Sequence, residues 1–173
     1  DKMAEGKPYY NITGMSVSPN NNLLVFGIDE VSRRQYTLKI KNITTGEILS
    51  DNIEGTNGYG VWANDNNTIF YTLNHPVTLL SEKIMRHQIN GNKKDVMVYQ
   101  EKDNSNYIGV SKSKNGRYIF ISSQATLSSE QLFIQADKPA SAFQSFQPRL
   151  KIVLYDVVSL DDKFLIRTNE NAL

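Results

Sequence analysis

One unit recurs four times in this chain: a small or polar residue, a tight polar turn, then an apolar strand. It reads Ser18-Pro-Asn-Asn-Asn-Leu-Leu-Val-Phe26, Ala63-Asn-Asp-Asn-Asn-Thr-Ile-Phe-Tyr71, Ser113-Lys-Asn-Gly-Arg-Tyr-Ile-Phe-Ile121 and Ser159-Leu-Asp-Asp-Lys-Phe-Leu-Ile-Arg167. The first residues, 18, 63, 113 and 159, lie 45, 50 and 46 positions apart. Apolar residues precede each turn: Met15 and Val17, Val61 and Trp62, Ile108 and Val110, Val157 and Val158. Each unit is therefore a hairpin whose turn is built from Asn, Asp or Gly, residues that tolerate positive φ.

More strands fill the intervals. Tyr36 to Lys41 alternates apolar with polar residues, as a strand with one buried face does. The turn Thr44-Thr45-Gly46 and then Ile48-Leu49 follow it. Lys83 to Ile89, the turn Asn90-Gly91-Asn92 and Val96 to Tyr99 repeat that arrangement. Leu132 to Ile134, the turn Asp137-Lys138-Pro139 and Phe143 to Phe146 repeat it again. Residues 75–88 could make a helical turn or two, but Pro76, Val77 and Thr78 weaken that reading. A hairpin plus two strands, recurring about every 45 residues, has the size of one β-propeller blade. A β-sandwich also spaces its strands evenly, but it does not require one turn pattern to recur four times.

The fold class is therefore all-β, a β-propeller piece of about three and a half four-stranded blades. They are expected near 9–54, 55–101 and 102–150, with 151–173 beginning a fourth. Propellers close into rings of about four to eight blades, so the chain reads as part of a larger ring. Its start at Asp1 fits an excised or processed piece. Open strand edges should favour self-association, through apolar surface near Met15, Val17, Val157 and Val158.

Composition narrows the chemistry. The 173 residues carry 19 basic and 18 acidic side chains, a balance that argues against nucleic acid as a partner. With no cysteine, thiolate and zinc–thiolate sites are excluded, and a cytoplasmic home is expected. No run approaches 18 apolar residues, so no membrane partner is expected. No metal cluster or phosphate loop is evident, and no cofactor is expected. Asn11-Ile-Thr, Asn42-Ile-Thr and Asn66-Asn-Thr match the glycosylation pattern, as chance matches in an asparagine-rich chain.

No catalytic residue can be assigned. Gly14-Met-Ser-Val-Ser18 lacks the second glycine of a nucleophile elbow and leads into a turn rather than a helix, so Ser16 reads as a strand serine. His75 sits in a loop before Pro76. His87 falls in a strand beside Arg86, whose charge should hold it neutral. Both read as structural or surface residues. Trp62, the single tryptophan, reads as packing between blades. Asp29-Glu30 followed by Arg33-Arg34 has two readings: a solvated strand end, or an ion-pair surface facing another domain, for which guanidinium is well suited. Asp29, Glu30, Arg33 and Arg34 are the candidate interdomain residues.

Several longer strings resemble one family. Ser32-Arg-Arg-Gln-Tyr-Thr-Leu38, Lys41-Asn42 and Thr45-Gly-Glu47 resemble the propeller of the oligopeptidase B branch of the prolyl oligopeptidase family of serine peptidases. The resemblance continues through Val61-Trp-Ala-Asn-Asp65, Phe70-Tyr71, His75-Pro-Val-Thr-Leu-Leu80 and Arg86-His87. It extends through Tyr99-Gln-Glu-Lys-Asp103 and Phe146-Gln-Pro-Arg149 to Ile166-Arg-Thr-Asn169, in the family's order. Met85 departs from it, because the family often has an aromatic residue before Arg-His. The resemblance implies a seven-bladed propeller joined to an α/β-hydrolase domain that carries a Ser-Asp-His triad outside this sequence. It implies peptide substrates cut after Arg or Lys, with the propeller as a size gate. The alternative is a propeller used purely as a protein-binding module.

Overall fold

The computed structural model describes residues 2–91 and 94–172, which form thirteen strands and no helix. The hairpin turns set the register of the strands. Ser18 Oγ accepts the Leu23 amide at 3.0 Å, and Ser18 N donates to Leu23 O at 2.8 Å. Ser113 and Tyr118 repeat both bonds, at 2.9 Å each. In the second turn Asp65 Oδ1 takes over by accepting from the Asn67 and Thr68 amides. The fourth position of each of these three turns is left-handed: Asn21 at φ 62°, Asn66 at 56° and Gly116 at 71°. Asn and Gly adopt that conformation most cheaply. The turn at Ser159 is different and closes through Leu160 N to Lys163 O.

Asparagines also tie successive turns together. Asn66 Oδ1 accepts the Asn20 amide, Asn64 Nδ2 donates to Gly116 O, and Asn115 Nδ2 donates to Ser159 Oγ and Leu160 O.

The turns join β1 (Asn11–Val17) to β2 (Leu23–Asp29), β4 (Ile48–Trp62) to β5 (Thr68–Asn74), β8 (Tyr107–Lys112) to β9 (Tyr118–Gln124), and β12 (Tyr155–Ser159) to β13 (Phe164–Thr168). The strands β3 (Tyr36–Asn42), β6 (Ser81–Gln88), β7 (Val96–Gln100), β10 (Ser129–Gln135) and β11 (Gln144–Ser145) complete the sheets. All pairings are antiparallel, in a sheet ordered β1 to β7, a second ordered β11-β10-β9-β8, and the pair β12-β13. The alternation read in Tyr36–Lys41 holds, with Leu38 and Ile40 fully buried.

Two expectations change. Where Ile48-Leu49 and Val61-Trp62 read as two separate strands, one strand β4 runs for 15 residues through both, and the expected boundary at 54/55 falls inside it. Its first half pairs β3 and its second half pairs β5, with a register break between Thr56 and Gly60. Between Phe143 and Phe146 only Gln144 and Ser145 pair, because both phenylalanines turn into the core instead. Residues 75–80 make a single turn, in keeping with the weak helical signal there, and β6 starts at Ser81. Asn90 and Gly91 form the expected turn, while Asn92 lies outside the described residues.

The first sheet turns back on itself at a crossing of three glycines. The second half of β4 lies over β1 and β2, and there Gly14, Gly27 and Gly58 meet backbone to backbone. This folding-over divides the strands into stacked layers, as in a propeller. A core fills each interface. Val25, Leu38, Ile53, Trp62, Ile69 and Tyr71 form the first, and Phe70, Ile119 and Ile134 belong to the next. Beyond them Phe120, Tyr155 and Val157 pack with Tyr118, Phe133, Phe146 and Phe164. In that aromatic cluster Phe133 and Phe146 centroids lie 4.3 Å apart, and Phe146 meets Phe164 edge-on at 4.9 Å. Val157 is therefore core and offers no surface for association; Met15, Val17 and Val158 remain exposed.

A part-buried ion pair ties the end of β7 to the segment between β11 and β12. Arg149 Nη2 donates to Glu101 Oε2 and to Ser123 Oγ, both at 2.6 Å, and Glu101 Oε1 accepts the Lys102 and Asp103 amides. Burial alone would push the Glu101 carboxyl up. The hydrogen bonds from Arg149, Ser123 and the Asp103 amide, with the guanidinium charge, outweigh it and hold the carboxyl at about 2, against an ordinary 4.5. The carboxylate thus contributes stability that is complete well above pH 4.5 and is lost as pH falls towards 2. Denaturant unfolding between neutral pH and pH 2.5 should show this loss in the parent chain. Glu101→Gln should be less stable at neutral pH and show a flatter pH slope. Parallel slopes would remove Glu101 as the titrating group.

Candidate functional site: the arginine loop and its cleft

Strand β2 ends on Asp29, and residues 30–35 form a loop before β3 begins at Tyr36. The Asp29 carboxylate is 1% exposed and closes this loop from inside: Oδ1 accepts the Val31 amide at 2.9 Å, Oδ2 the Arg34 amide at 2.8 Å. Those bonds hold Ser32 at φ 60° and Arg34 at φ 56°, left-handed positions that cost non-glycine residues roughly 1–2 kcal/mol each. The loop is a fixed platform, and on it the Arg33 and Arg34 side chains are both exposed. Glu30 pairs with Lys7, whose ammonium also lies 4.9 Å from the Tyr10 ring centre. Neither guanidinium has an ion-pair partner among the described residues. At the end of the loop, burial and then the Asp29 charge raise the Tyr36 hydroxyl above its usual value.

The four candidate residues thus divide. Asp29 is engaged within its own loop and Glu30 by Lys7, which leaves Arg33 and Arg34 as the free cations. The arginines stand in the loop before β3 rather than in the strand itself.

A facing loop completes a cleft of about 550 Å³, lined among others by Glu30, Gln35, Thr56, His75 and Leu79. His75 Nδ1 accepts the Val77 and Thr78 amides at 3.2 Å each, and His75 O accepts the Leu79 amide at 2.9 Å. His75 is therefore a loop cap.

His87 overturns one expectation. Arg86 does not face it, because its guanidinium reaches across to Pro139 O at 2.9 Å. The His87 ring lies between two carboxylates, Nδ1 at 2.8 Å from Asp95 and Nε2 at 2.9 Å from Asp51. Strand alternation is the reason, since adjacent residues point to opposite faces. Tyr71 donates to the other Asp95 oxygen at 2.7 Å, and burial is the first cause of its raised hydroxyl pKa. The cluster ties Asp51 in the first half of β4 to β5 and β6, a structural role.

Ser16 is a strand serine, as expected, and its carbonyl accepts Trp62 Nε1 at 2.9 Å. Among the described residues no hydrogen bond links either histidine to a serine or threonine hydroxyl. Sequence reasoning missed the work of Asp29. Its available signal was an acidic residue closing an apolar strand just before a polar run, the setting in which Asx side chains bond nearby amides.

Comparison with known proteins gives a consistent picture. The family described as "Prolyl oligopeptidase, N-terminal beta-propeller domain" matches residues 1–173. Dipeptidyl aminopeptidase BI of Pseudoxanthomonas mexicana is 38% identical over 171 residues, 98% of this chain and 24% of that protein. Protease 2 of Moraxella lacunata is 32% identical over 180 residues, 100% of this chain and 25% of that protein. Among solved structures, oligopeptidase B from Leishmania major superimposes with a TM-score of 0.91 at 27% identity, over 98% of this chain and 24% of that one. Oligopeptidase B from Trypanosoma brucei, a closed form with covalently bound antipain, gives 0.86 at 25% identity, with the same coverage. The chain thus spans about a quarter of the length of the relatives it matches.

Proposed function

The chain belongs to the prolyl oligopeptidase family, as its N-terminal β-propeller domain, and from that premise we propose that it caps the catalytic α/β-hydrolase domain of a serine oligopeptidase that cleaves peptides after Arg or Lys. The cap works by size, admitting a thin unfolded chain and excluding folded protein. The parent ring has seven blades, of which these layers are the first three and part of a fourth. A cytoplasmic setting is part of the same reading.

The observation that carries it is the arginine loop. A buried carboxylate holds residues 30–35 in a costly conformation, and the result is two exposed guanidinium groups with no ion-pair partner among the described residues. Guanidinium suits a desolvated carboxylate across a domain boundary. Arg33→Ala and Arg34→Ala in the parent enzyme should lower kcat/KM on a dibasic peptide by about tenfold or more if the pair is desolvated. The effect should weaken with added salt. The isolated chain should lose less than about 1 kcal/mol, because these side chains are exposed. A strongly destabilised chain with untouched cleavage would mean that the arginines are internal structure.

A second reading comes from the relative named a dipeptidyl aminopeptidase, which is more similar in sequence than Protease 2. An enzyme of that type needs a free amino terminus two residues before the cut. Paired substrates with blocked and free amino ends separate the two: cleavage of blocked Arg-Arg substrates supports the endopeptidase, and strict dependence on the free amine supports the aminopeptidase. A binding module without an enzyme would cleave neither.

A further inference from the structure

The residue just before each hairpin turn is Val17, Trp62, Lys112 and Val158. Three are apolar, and the third is a lysine. Lys112 ends β8 and is half-buried. Its ammonium donates to Asn64 Oδ1 at 2.6 Å. The Asn64 amide nitrogen is fixed by Gly116 O at 3.1 Å and Asp137 Oδ1 at 2.9 Å, so its oxygen must face the lysine. That oxygen solvates the charge but does not neutralise it.

No carboxylate among the described residues lies within ion-pair distance of Lys112. Burial is the largest influence on its ammonium and lowers its pKa, with Asp137 and Asp65 opposing more weakly. A desolvated cation without a counter-charge is costly, and an anion placed beside it relieves that cost. The lysine opens onto a cavity of about 460 Å³ among the first three hairpin turns. Val17, Pro19, Val61 and Trp62 give this cavity apolar walls, and Lys114 adds a second cation.

We propose that this cavity binds a carboxylate carried on a short apolar body, the C-terminal end of a peptide, with Lys112 as its counter-ion. The apolar walls favour a peptide end over a bare anion, because they would leave acetate or phosphate only partly enclosed. The site uses residues of this chain alone and stands whether or not the parent protein is a peptidase.

Trp62 lines the cavity and is the single tryptophan, so its fluorescence reports binding. The purified chain is titrated with N-acetyl-Ala-Leu, with the amide of the same dipeptide and with acetate. The free acid should give a saturable change, and the amide and acetate should each bind at least about tenfold more weakly. Lys112→Met should weaken the acid about tenfold or more, and Lys114→Ala by a smaller factor. The acid should also protect Lys112 of the unmodified chain from reductive methylation, a readout that survives even if Lys112→Met does not fold. Equal binding of acid and amide, acetate as tight as the dipeptide, or no saturation up to about 10 mM would overturn the proposal. So would unchanged binding by a folded Lys112→Met.

Discussion

Trp62→Ala should cost the chain about 3–5 kcal/mol, the range for removing a buried large aromatic. The side chain is 2% exposed and packs with Val25, Leu38, Ile40, Ile53 and Ile69, which come from β2, β3, β4 and β5. Its indole also donates to the Ser16 carbonyl in β1. Alanine therefore opens a cavity at the first layer interface and leaves a carbonyl acceptor without its partner. Trp62→Phe separates the two contributions. It keeps most of the volume and should recover more than half of the loss, with the rest assigned to the indole hydrogen bond. Urea unfolding of the three chains is the measurement, followed by circular dichroism because the fluorophore is removed. A loss below about 1 kcal/mol for Trp62→Ala would mean that the site can collapse around the gap.

Gly14→Ala should cost a comparable amount, about 2–5 kcal/mol, for a reason unrelated to cavities. Gly14 has φ +62°, and a Cβ there would stand 1.9 Å from the Gly58 carbonyl oxygen and 3.0 Å from Tyr59 Cα. Those are backbone atoms held on both sides by strands, so relief requires β4 to move away from β1. Overpacking of this kind adds to the ordinary left-handed penalty. Gly46→Ala is the control. Its φ is +77° but nothing lies within 4 Å of its added carbon, so it should carry only the conformational cost, about 1–2 kcal/mol. If the two variants lose equal stability in thermal and denaturant unfolding, the glycine crossing is looser than these distances imply.

The hairpins were legible because their information is local. Asn21, Asn66 and Gly116 each advertise a left-handed turn position, and Ser18 and Ser113 each cap a turn five residues long. The buried face of β3 was legible for the same reason, through its alternation. What could not be read depends on distant residues meeting. The continuity of β4 through Gly55 and Gly58 makes sense only once β1 and β2 are seen crossing it. His87 was misread because its neighbour in sequence, Arg86, points away, whereas its partners Asp51 and Asp95 lie 36 and 8 residues distant. The arginine loop was legible as charge but not as geometry. Adjacent acidic and basic pairs suggest one another as partners, yet Asp29 bonds amides and Glu30 bonds Lys7.

The shared strand β4 bears on how the chain acquires its structure. Its first half is a ladder partner of β3 and its second half a ladder partner of β5, so neither group of strands can be completed while the other is unmade. The two groups are thereby expected to behave as one cooperative unit, a foldon larger than the sequence repeat. The strands β8 to β11 share no ladder with it. They meet it instead through shared cores, Phe70 with Ile119 and Ile134, and Ile84 with Ile108 and Ile121, and through the Asn64 amide, which donates to Ala136 O at 2.9 Å. Periodicity in sequence and granularity in folding therefore need not coincide: the chain repeats about every 45 residues, but the ladders of its first two repeats share one strand.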